Sequence, residues 1–194
     1  MCYDVVDFFV IQTLFDGLAR FGEGGCCLNI IIVGAGKVGS TLASYLSRED
    51  HNITIIDSDK DAIQRASDTL DVMCIKGPGA APSVLREAGA EDADLVLATT
   101  NLDEVNMLCC LTAKRLGAGY TIARIRDVVY TDDLAALQRE LNVDAVINPE
   151  YSTALEISRL LRFPAAANVD TFFRGKVEML GIRVREGDPM VGIP

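Results

Sequence analysis

The sequence contains no tryptophan and a single histidine, and none of its six cysteines forms a Cys-x-x-Cys pair. Structural zinc sites typically use four Cys or His ligands with paired spacing, so the sequence argues against a zinc-binding domain. Four cysteines form two adjacent pairs, which do not suit a disulfide framework because sequence neighbours rarely bridge each other. We expect reduced, mostly buried thiols, with one member of the Cys109–Cys110 pair packed in the core.

Basic residues are also scarce, since 18 Lys and Arg stand against 28 Asp and Glu and give a formal net charge of −10. No basic run exceeds two residues. Phosphate backbones repel such a chain, so the composition argues against a nucleic-acid-binding protein. No uninterrupted apolar run reaches the roughly 18 to 20 residues that a transmembrane helix needs. The 194 residues suffice for one domain and a remainder.

Short apolar runs alternate with helical patterns from residue 28 onward. Runs without a polar alternation are typical of strands buried on both faces of a parallel sheet. The pattern predicts an α/β fold: a Rossmann-like, doubly wound, parallel six-stranded sheet of strand order 3-2-1-4-5-6 with helices on both faces. The predicted strands are Leu28 to Val33, Ile53 to Ile56, Val72 to Ile75, Leu95 to Ala98, Thr121 to Ile125 and Ala145 to Ile147.

The pattern divides the chain into a nucleotide-binding domain at residues 28–149, a crossover or dimerisation helix at 150–163, and a remainder at 164–194. Thr153 and Glu156 have the spacing of a capping box, which predicts that this helix begins beside Thr153. Two short strands are expected at 169–173 and 177–184, as the linker and start of a truncated second domain.

Residues 1–27 do not follow this alternation. Two interpretations remain open: a genuine amphipathic N-terminal helix, or a translated leader preceding a start codon at Leu28. In the second interpretation, Glu23-Gly24-Gly25 would be a translated ribosome-binding site, and the nucleotide sequence distinguishes the two.

A Gly-x-Gly-x-x-Gly motif at Gly34, Gly36 and Gly39 follows the first predicted strand and opens a helix. Gly34 is expected to make the turn, Gly36 to admit a pyrophosphate, and Gly39 to allow close packing of helix on strand. The helix N-terminus then offers N–H groups to phosphates. Asp57, 18 residues after Gly39, would bind the ribose hydroxyls and repel a 2′-phosphate, favouring NAD(H) or an adenosine nucleotide over NADP(H). The alternative is that these glycines serve only the close packing of helix on strand in a Rossmann-like domain.

Several spaced motifs resemble the N-terminal domain of TrkA-type potassium-uptake regulators, the RCK or KTN domain, over about residues 28–163. They are the Leu28–Gly39 run, Asp57, Leu85-Arg86-Glu87-Ala88-Gly89, Ala93-Asp94, Thr99-Thr100 with Glu104 and Asn106, Ala123-Arg124, and Asn148-Pro149-Glu150.

The resemblance implies a regulatory subunit rather than an enzyme, cytoplasmic and peripheral at the inner face of the cell membrane. Such domains bind NAD(H) or ATP/ADP and pair through their N-domains into dimers or higher rings. The implied partner is a membrane K⁺ transporter or channel subunit of the TrkH type. A nucleotide that prefers one arrangement of the ring would gate this partner.

The resemblance also implies roles for individual residues. It places Gly34, Gly36, Lys37, Val38 and Gly39 at the phosphates, Asp57 and Ser58 at the ribose, Lys76 and Gly77 near adenine, Thr99, Thr100 and Asn101 in the crevice after the fourth strand, and Arg124 and Glu150 facing the ligand or a neighbouring subunit.

One departure and two alternatives qualify this interpretation. The family commonly has Asp or Asn where this chain has Pro78, which has no side-chain group to bond adenine.

One of Arg124 and Arg126 is expected either to bind phosphate or to pair with a nearby acid. The alternative functions are an NAD-dependent oxidoreductase, for which a substrate domain and a positioned acid or base are missing, and a nucleotide-binding module without a channel partner.

Overall fold

The computed structural model of the chain describes residues 27–127, 134–162, 166–172, 177–182 and the single residues 184, 188 and 191. The chain divides into two compact units, Met1–Pro149 and Glu150–Pro194. Residues 1–26 lie outside the described residues, and so does Thr131, which the sequence predicts as the cap of the helix that ends at Leu141. Among the described residues, no helix combines the length and apolarity that crossing a bilayer requires.

Strands and helices alternate through the first unit, as the sequence pattern predicts. Asp59 caps the second helix by accepting a hydrogen bond from the N–H of Asp61 at 2.9 Å, and Pro82 occupies the first turn of the third. The elements are β1 (Asn29–Val33), α1 (Lys37–Leu46), β2 (Asn52–Asp57), α2 (Lys60–Thr69), β3 (Met73–Lys76), α3 (Pro82–Glu87), β4 (Leu95–Ala98), α4 (Asp103–Leu116), β5 (Tyr120–Arg124), α5 (Leu134–Leu141) and β6 (Ala145–Ile147).

Within the described residues, six strands form one parallel sheet in the order β3-β2-β1-β4-β5-β6. The predicted fold class and strand order are therefore confirmed. Strand β1 lies in the middle of the sheet, where Ile32 is opposite Ile55 of β2 and Leu97 of β4. Because β1 is hydrogen-bonded on both edges and packed on both faces, its apolar run has no polar alternation.

Helices cover both faces of the sheet, and successive residues of each central strand serve opposite faces. Ile30 and Ile32 of β1 belong to one core cluster, which includes Leu42 of α1 and Ala62 of α2. Ile31 and Val33 belong to the other cluster, together with Leu85 of α3 and Ala113 of α4. Burial of these apolar side chains on both faces is the main favourable contribution to folding.

Two aspartates stabilise the amino-terminal edge of the sheet. Asp94, just before β4, accepts a hydrogen bond from the N–H of Asn29 at 2.8 Å. Asp144, just before β6, accepts from the N–H and hydroxyl of Thr121 and forms an ion pair with Lys114 at 2.8 Å. These contacts lie at the end of the strands opposite the carboxyl ends of β1 and β4.

The second unit contains helix α6 (Pro149–Arg162), which starts at the last residue of the first unit, and the antiparallel strands β7 (Ala166–Phe172) and β8 (Val177–Ile182). The capping-box prediction was wrong, because the helix begins at Pro149 and Thr153 lies inside it. Proline is favoured at the first helical position, where the missing N–H has no intrahelical partner. The assignment of residues 150–163 to dimerisation and of 164–194 to a truncated second domain stays a prediction.

The adjacent thiols of Cys109 and Cys110 are both buried, although the sequence favours only one in the core. Helix α4 contacts β4, β5 and α3, so consecutive positions on it meet different neighbours. Burial raises the pKa of Cys109 to about 12 and raises the pKa of Cys110 as well. The thiolate that reacts with electrophiles is therefore strongly disfavoured at both positions.

We predict that iodoacetamide at pH 8 labels the exposed Cys27 rapidly and leaves Cys109 and Cys110 unlabelled until urea unfolds the chain. Mass spectrometry of tryptic peptides measures the labelling at each position. Labelling of native Cys109 at the rate of Cys27 would contradict the burial described here.

Candidate functional site

The crevice at the carboxyl ends of β1 and β4 is the natural binding position in this fold. Strands β1 and β4 are neighbours, but the chain proceeds from β1 towards β2 and from β4 towards β5, on opposite sides. Their following loops therefore separate and leave a crevice, which is where open α/β sheets bind ligands.

The turn after β1 is built by close backbone packing. Gly34 has a φ of +106°, and a Cβ on it would lie 2.9 Å from the backbone nitrogen of Thr100. A Cβ on Gly39 would overlap the carbonyl oxygen of Gly34 and lie 2.9 Å from the Thr99 hydroxyl oxygen. Helix α1 therefore packs directly against the turn and the loop after β4, which any side chain at these two positions would prevent.

The middle glycine of the motif has a different environment. No heavy atom of the described residues, apart from its chain neighbours, lies within 4 Å of the Cβ position of Gly36. Gly36 is the N-cap of α1, and no side chain in the described part of the chain hydrogen-bonds the N-terminus of this helix. The first N–H groups of α1 are therefore open to an anion. The space for this anion lies beside Gly36, where a side chain would fill it. Lys37 is exposed at this end of the helix, and Val38 packs against the core.

The carboxylate of Asp57, at the end of β2, contacts the glycine-rich loop. It accepts hydrogen bonds from the N–H of Ala35 at 2.6 Å and from the N–H of Asp59 at 2.8 Å, one on each oxygen. A carboxylate oxygen has two lone pairs, so each retains one for a further donor. The half-buried Asp57 thereby places an acceptor beside the loop, with Ser58 exposed next to it.

The end of β3 forms the outer side of the crevice. The N–H of Gly77 donates to the carbonyl oxygen of Asp57 at 2.9 Å, which joins this loop to the end of β2. Pro78 is exposed, and its carbonyl oxygen accepts from the N–H of Ala81 in a turn. A Cβ on Gly79 would overlap the side chain of Val33, so this loop crosses close to β1. Lys76 is exposed at the end of the strand.

On the other side of the crevice, Thr99 and Thr100 follow β4. The Thr99 side chain is buried, and its hydroxyl lies 3.2 Å from the carbonyl oxygen of Val33. Asn106, with 0% exposure, accepts from the N–H and the hydroxyl of Thr100 at 2.9 and 2.7 Å. The Asn106 side-chain amide donates to the carbonyl oxygens of Thr100 and Arg124, which connects the ends of β4 and β5.

Asp103, in the first turn of α4, makes a second connection to the segment after β5. It accepts from the N–H groups of Arg126 and Asp127, both at 2.8 Å, and pairs with the Arg126 guanidinium. Burial raises the pKa of Asp103, but these donors and the guanidinium charge outweigh it and hold the pKa below its ordinary value. Arg126 also donates to the carbonyl oxygen of Asn101. The acid pairing left open for Arg126 is therefore observed.

The structure brings most of the predicted site residues to one edge of the sheet. Arg124 ends β5 and donates through Nη1 to the carbonyl oxygen of Thr100 at 3.4 Å. Glu150 lies in the first turn of α6 and belongs to the second unit, so its role stays a prediction. The residues gathered at the carboxyl edge are Gly34, Gly36, Lys37, Val38, Gly39, Asp57, Ser58, Lys76, Gly77, Thr99, Thr100, Asn101 and Arg124.

Sequence reasoning assigned no role to Asp103 and Asn106. Asn106 is part of the family motif, but the motif gives it no role. The sequence signal that could have found it is a polar residue at a helix position where the apolar pattern predicts a buried side chain. Its partners are Thr100 and Arg124, and the latter is 18 residues away in sequence.

The sheet order and the glycine-rich loop at the switch point define a nucleotide-binding-type domain of the Rossmann class. The TrkA-N domain family matches residues 30–149. The Trk system potassium uptake protein TrkA of Halomonas elongata is 41% identical over 167 residues, covering 85% of this chain and 36% of that protein. The TrkA homolog of Archaeoglobus fulgidus is 42% identical over 165 residues, with 85% and 37% covered.

This chain belongs to the TrkA-N family. The predicted resemblance is thereby confirmed, and the relatives that the chain matches are named as potassium uptake proteins, not as oxidoreductases. The chain spans about a third of the length of the curated relatives it matches.

Solved structures agree with the fold. The TrkA-N domain of the inner membrane protein ybaL from Escherichia coli is 23% identical with a TM-score of 0.61, covering 70% of this chain and 98% of that one. The GsuK channel bound to NAD is 17% identical with a TM-score of 0.56, covering 87% and 32%.

We predict that Gly39→Ala lowers the free energy of unfolding by about 1–3 kcal/mol, because the added methyl group overlaps the Gly34 carbonyl oxygen. The matched variant Gly36→Ala adds the same methyl group to open space and is expected to stay within about 1 kcal/mol of the parent. Urea unfolding followed by circular dichroism measures both. Equal destabilisation by the two variants would contradict the packing of α1 on the turn.

A second prediction concerns the pH dependence of stability. The lowered pKa of Asp103 stabilises the folded state above the unfolded pKa of about 3.9, and this contribution is lost as the pH falls through the folded pKa. Asp103→Asn is therefore expected to cost about 1–3 kcal/mol at pH 7 and progressively less below pH 4.

Urea unfolding between pH 3 and pH 7 measures this difference. The control is Glu91→Gln, because Glu91 pairs with Arg86 at 3.3 Å with both side chains more than half exposed. Such a pair contributes at most about 1 kcal/mol. A cost for Asp103→Asn that does not change with pH would contradict the assignment of a stabilising charge.

Proposed function

We propose that this chain is the nucleotide-sensing part of a regulatory protein of a K⁺ uptake system. It binds NAD(H), or ATP/ADP in its place, at the carboxyl edge of the sheet. The bound nucleotide changes the arrangement of paired N-domains and so gates a membrane K⁺ transporter or channel subunit of the TrkH type. The protein then acts in the cytoplasm, at the inner face of the membrane.

One observation carries the nucleotide assignment: the N-terminus of α1 has no side-chain cap among the described residues, and Gly36 faces open space beside it. Asp59 caps the N-terminus of α2, whereas α3 and α4 also lack a side-chain cap bond, so the open space at Gly36 is what distinguishes α1. Phosphate groups fit an uncapped helix N-terminus because free N–H groups and the helix dipole both favour negative charge. Gly34, Gly36, Lys37, Val38 and Gly39 would surround the phosphates.

The acid at the end of β2 supports NAD(H) over NADP(H). Asp57 retains lone pairs for the ribose hydroxyls, while its charge opposes a 2′-phosphate. No basic residue follows it at Ser58 or Asp59 to balance that phosphate. Lys76 and Gly77 would lie near the adenine, where the exposed Pro78 offers no side-chain hydrogen bond, so adenine recognition there depends on backbone groups and packing.

The regulatory part of the proposal rests on family membership and on the second unit. Among the described side chains of helix α6, four large apolar ones are exposed as two pairs at i, i+4 spacing, which are Tyr151 with Leu155 and Ile157 with Leu161. Such a helix suits pairing with a second copy of the chain. A nucleotide then biases the assembly only by the difference in its affinity for the two arrangements.

We predict that NADH or ADP at 100 times its Kd stabilises the chain by about 2.7 kcal/mol in a thermal-shift titration, whereas NADPH does not. Gly36→Ala is expected to fold normally and to lose most of this stabilisation, because its methyl group fills the space beside the phosphates. Asp57→Asn removes the charge that opposes the 2′-phosphate and is expected to reduce discrimination against NADPH.

The control is Asp68→Asn, which removes one exposed charge from the far end of α2 and is expected to leave nucleotide binding unchanged. Absence of any shift with NADH, NAD⁺, ATP and ADP would overturn the nucleotide assignment. Equal stabilisation by NADH and NADPH in the parent chain would overturn the role of Asp57.

A further inference from the structure

Asn106 of α4 is buried with 0% exposure, and both ends of its side-chain amide are occupied. Its Oδ1 accepts from the N–H and the hydroxyl of Thr100, at 2.9 and 2.7 Å. Its Nδ2 donates to the carbonyl oxygens of Thr100 and Arg124, at 3.2 and 2.8 Å. A fully buried polar side chain with four bonds to two strand ends fixes their relative positions, because each lost bond leaves a buried group unsatisfied.

The loop held by Asn106 is in turn the support of the glycine-rich turn. The backbone nitrogen of Thr100 lies 2.9 Å from the position that a Cβ on Gly34 would occupy, and the Thr99 hydroxyl oxygen lies equally close to the Cβ position of Gly39. The Thr99 backbone N–H also donates to the carbonyl oxygen of Val33 at 2.7 Å. A shift of Thr99 and Thr100 therefore displaces the turn and the start of α1.

The same side chain fixes Arg124. The carbonyl oxygen of Thr100 accepts from both Asn106 Nδ2 and Arg124 Nη1, so it is the point where the two side chains meet. Asn106 also holds the Arg124 backbone through its carbonyl oxygen. The Arg124 guanidinium therefore shares an acceptor with a side chain that itself lies wholly inside the protein.

We propose that Asn106 is a positioning residue of the nucleotide site, an inference that rests on the proposed function. It contacts no ligand. Asn106 holds the phosphate-binding turn in place through Thr99 and Thr100, and it also holds the guanidinium of Arg124. The two walls of the crevice therefore keep a fixed relative position and can contact the nucleotide at the same time.

The test compares Asn106→Ala with a control at the opposite edge of the sheet. Thr121→Val removes a buried hydroxyl that bonds Asp144 at the amino-terminal edge, on β5 itself. Isothermal titration with ADP and with NADH is expected to give about tenfold weaker binding for Asn106→Ala and unchanged binding for Thr121→Val. Thr100→Val removes the hydroxyl that donates to Asn106 and also bonds the Leu102 backbone, but it keeps the Asn106 side chain. It is expected to give a smaller loss of affinity and provides a milder variant should Asn106→Ala fold poorly.

A double-mutant cycle separates positioning from general weakening. If Asn106 acts through Arg124, then Asn106→Ala combined with Arg124→Ala binds ADP no more weakly than the weaker single variant, whereas independent roles multiply the two losses. Multiplied losses, or an unchanged affinity in folded Asn106→Ala and Thr100→Val, would overturn the proposal.

Hydrogen exchange of the ligand-free chain keeps this result separate from the proposed function. Asn106→Ala is expected to accelerate exchange in peptides spanning residues 34–39, 99–102 and 124–127, and Thr121→Val is expected to leave them unchanged. Unchanged exchange in Asn106→Ala would overturn the positioning role even where nucleotides bind. Failure of the parent chain to bind ADP and NADH overturns the proposed function, and the exchange data then still report whether Asn106 orders the crevice.

Discussion

The rest of the site depends on the contact between helix α1 and the turn after β1. Because Gly39 has no side chain, the first turn of α1 lies against the carbonyl oxygen of Gly34 and the hydroxyl of Thr99. This contact directs the helix N-terminus towards the crevice between β1 and β4 and leaves Gly36 facing open space. The positive end of the helix dipole and its open N–H groups are thus set at the point where a parallel sheet of this order leaves room for a ligand.

The two walls of the crevice are stabilised by different means. On the β1–β2 side, the carboxylate of Asp57 bonds the backbone of the glycine-rich loop directly. On the β4–β5 side, two side chains of α4 make the hydrogen bonds. Asn106 joins Thr100 to Arg124, and Asp103 bonds Arg126 and Asp127. Most of these bonds are to backbone groups, so they order the segments after the strands rather than simply adding an ion pair at the surface.

Much of the fold was predictable because its signals are local. The bounds of β4 agree with prediction, since a short apolar run between polar residues marks both of its own ends. The start of α6 was predicted wrongly because two local signals compete, a capping box at Thr153 and a proline at 149, and the helix includes both. The burial of both Cys109 and Cys110 was missed, because periodicity describes one face of a helix and α4 packs against strands and a neighbouring helix together.

The sequence alone determined the order of strands and helices, the parallel sheet and the position of the glycine-rich loop, because apolar runs, glycine spacing and the acid after the second strand are read from neighbouring residues. It also determined membership of the TrkA-N family. Only the tertiary structure decided that Arg126 pairs with Asp103 and that Asn106 connects Thr100 with Arg124. These partners come from different strand and helix ends, up to 23 residues apart, and only the folding of the sheet brings them within hydrogen-bond distance.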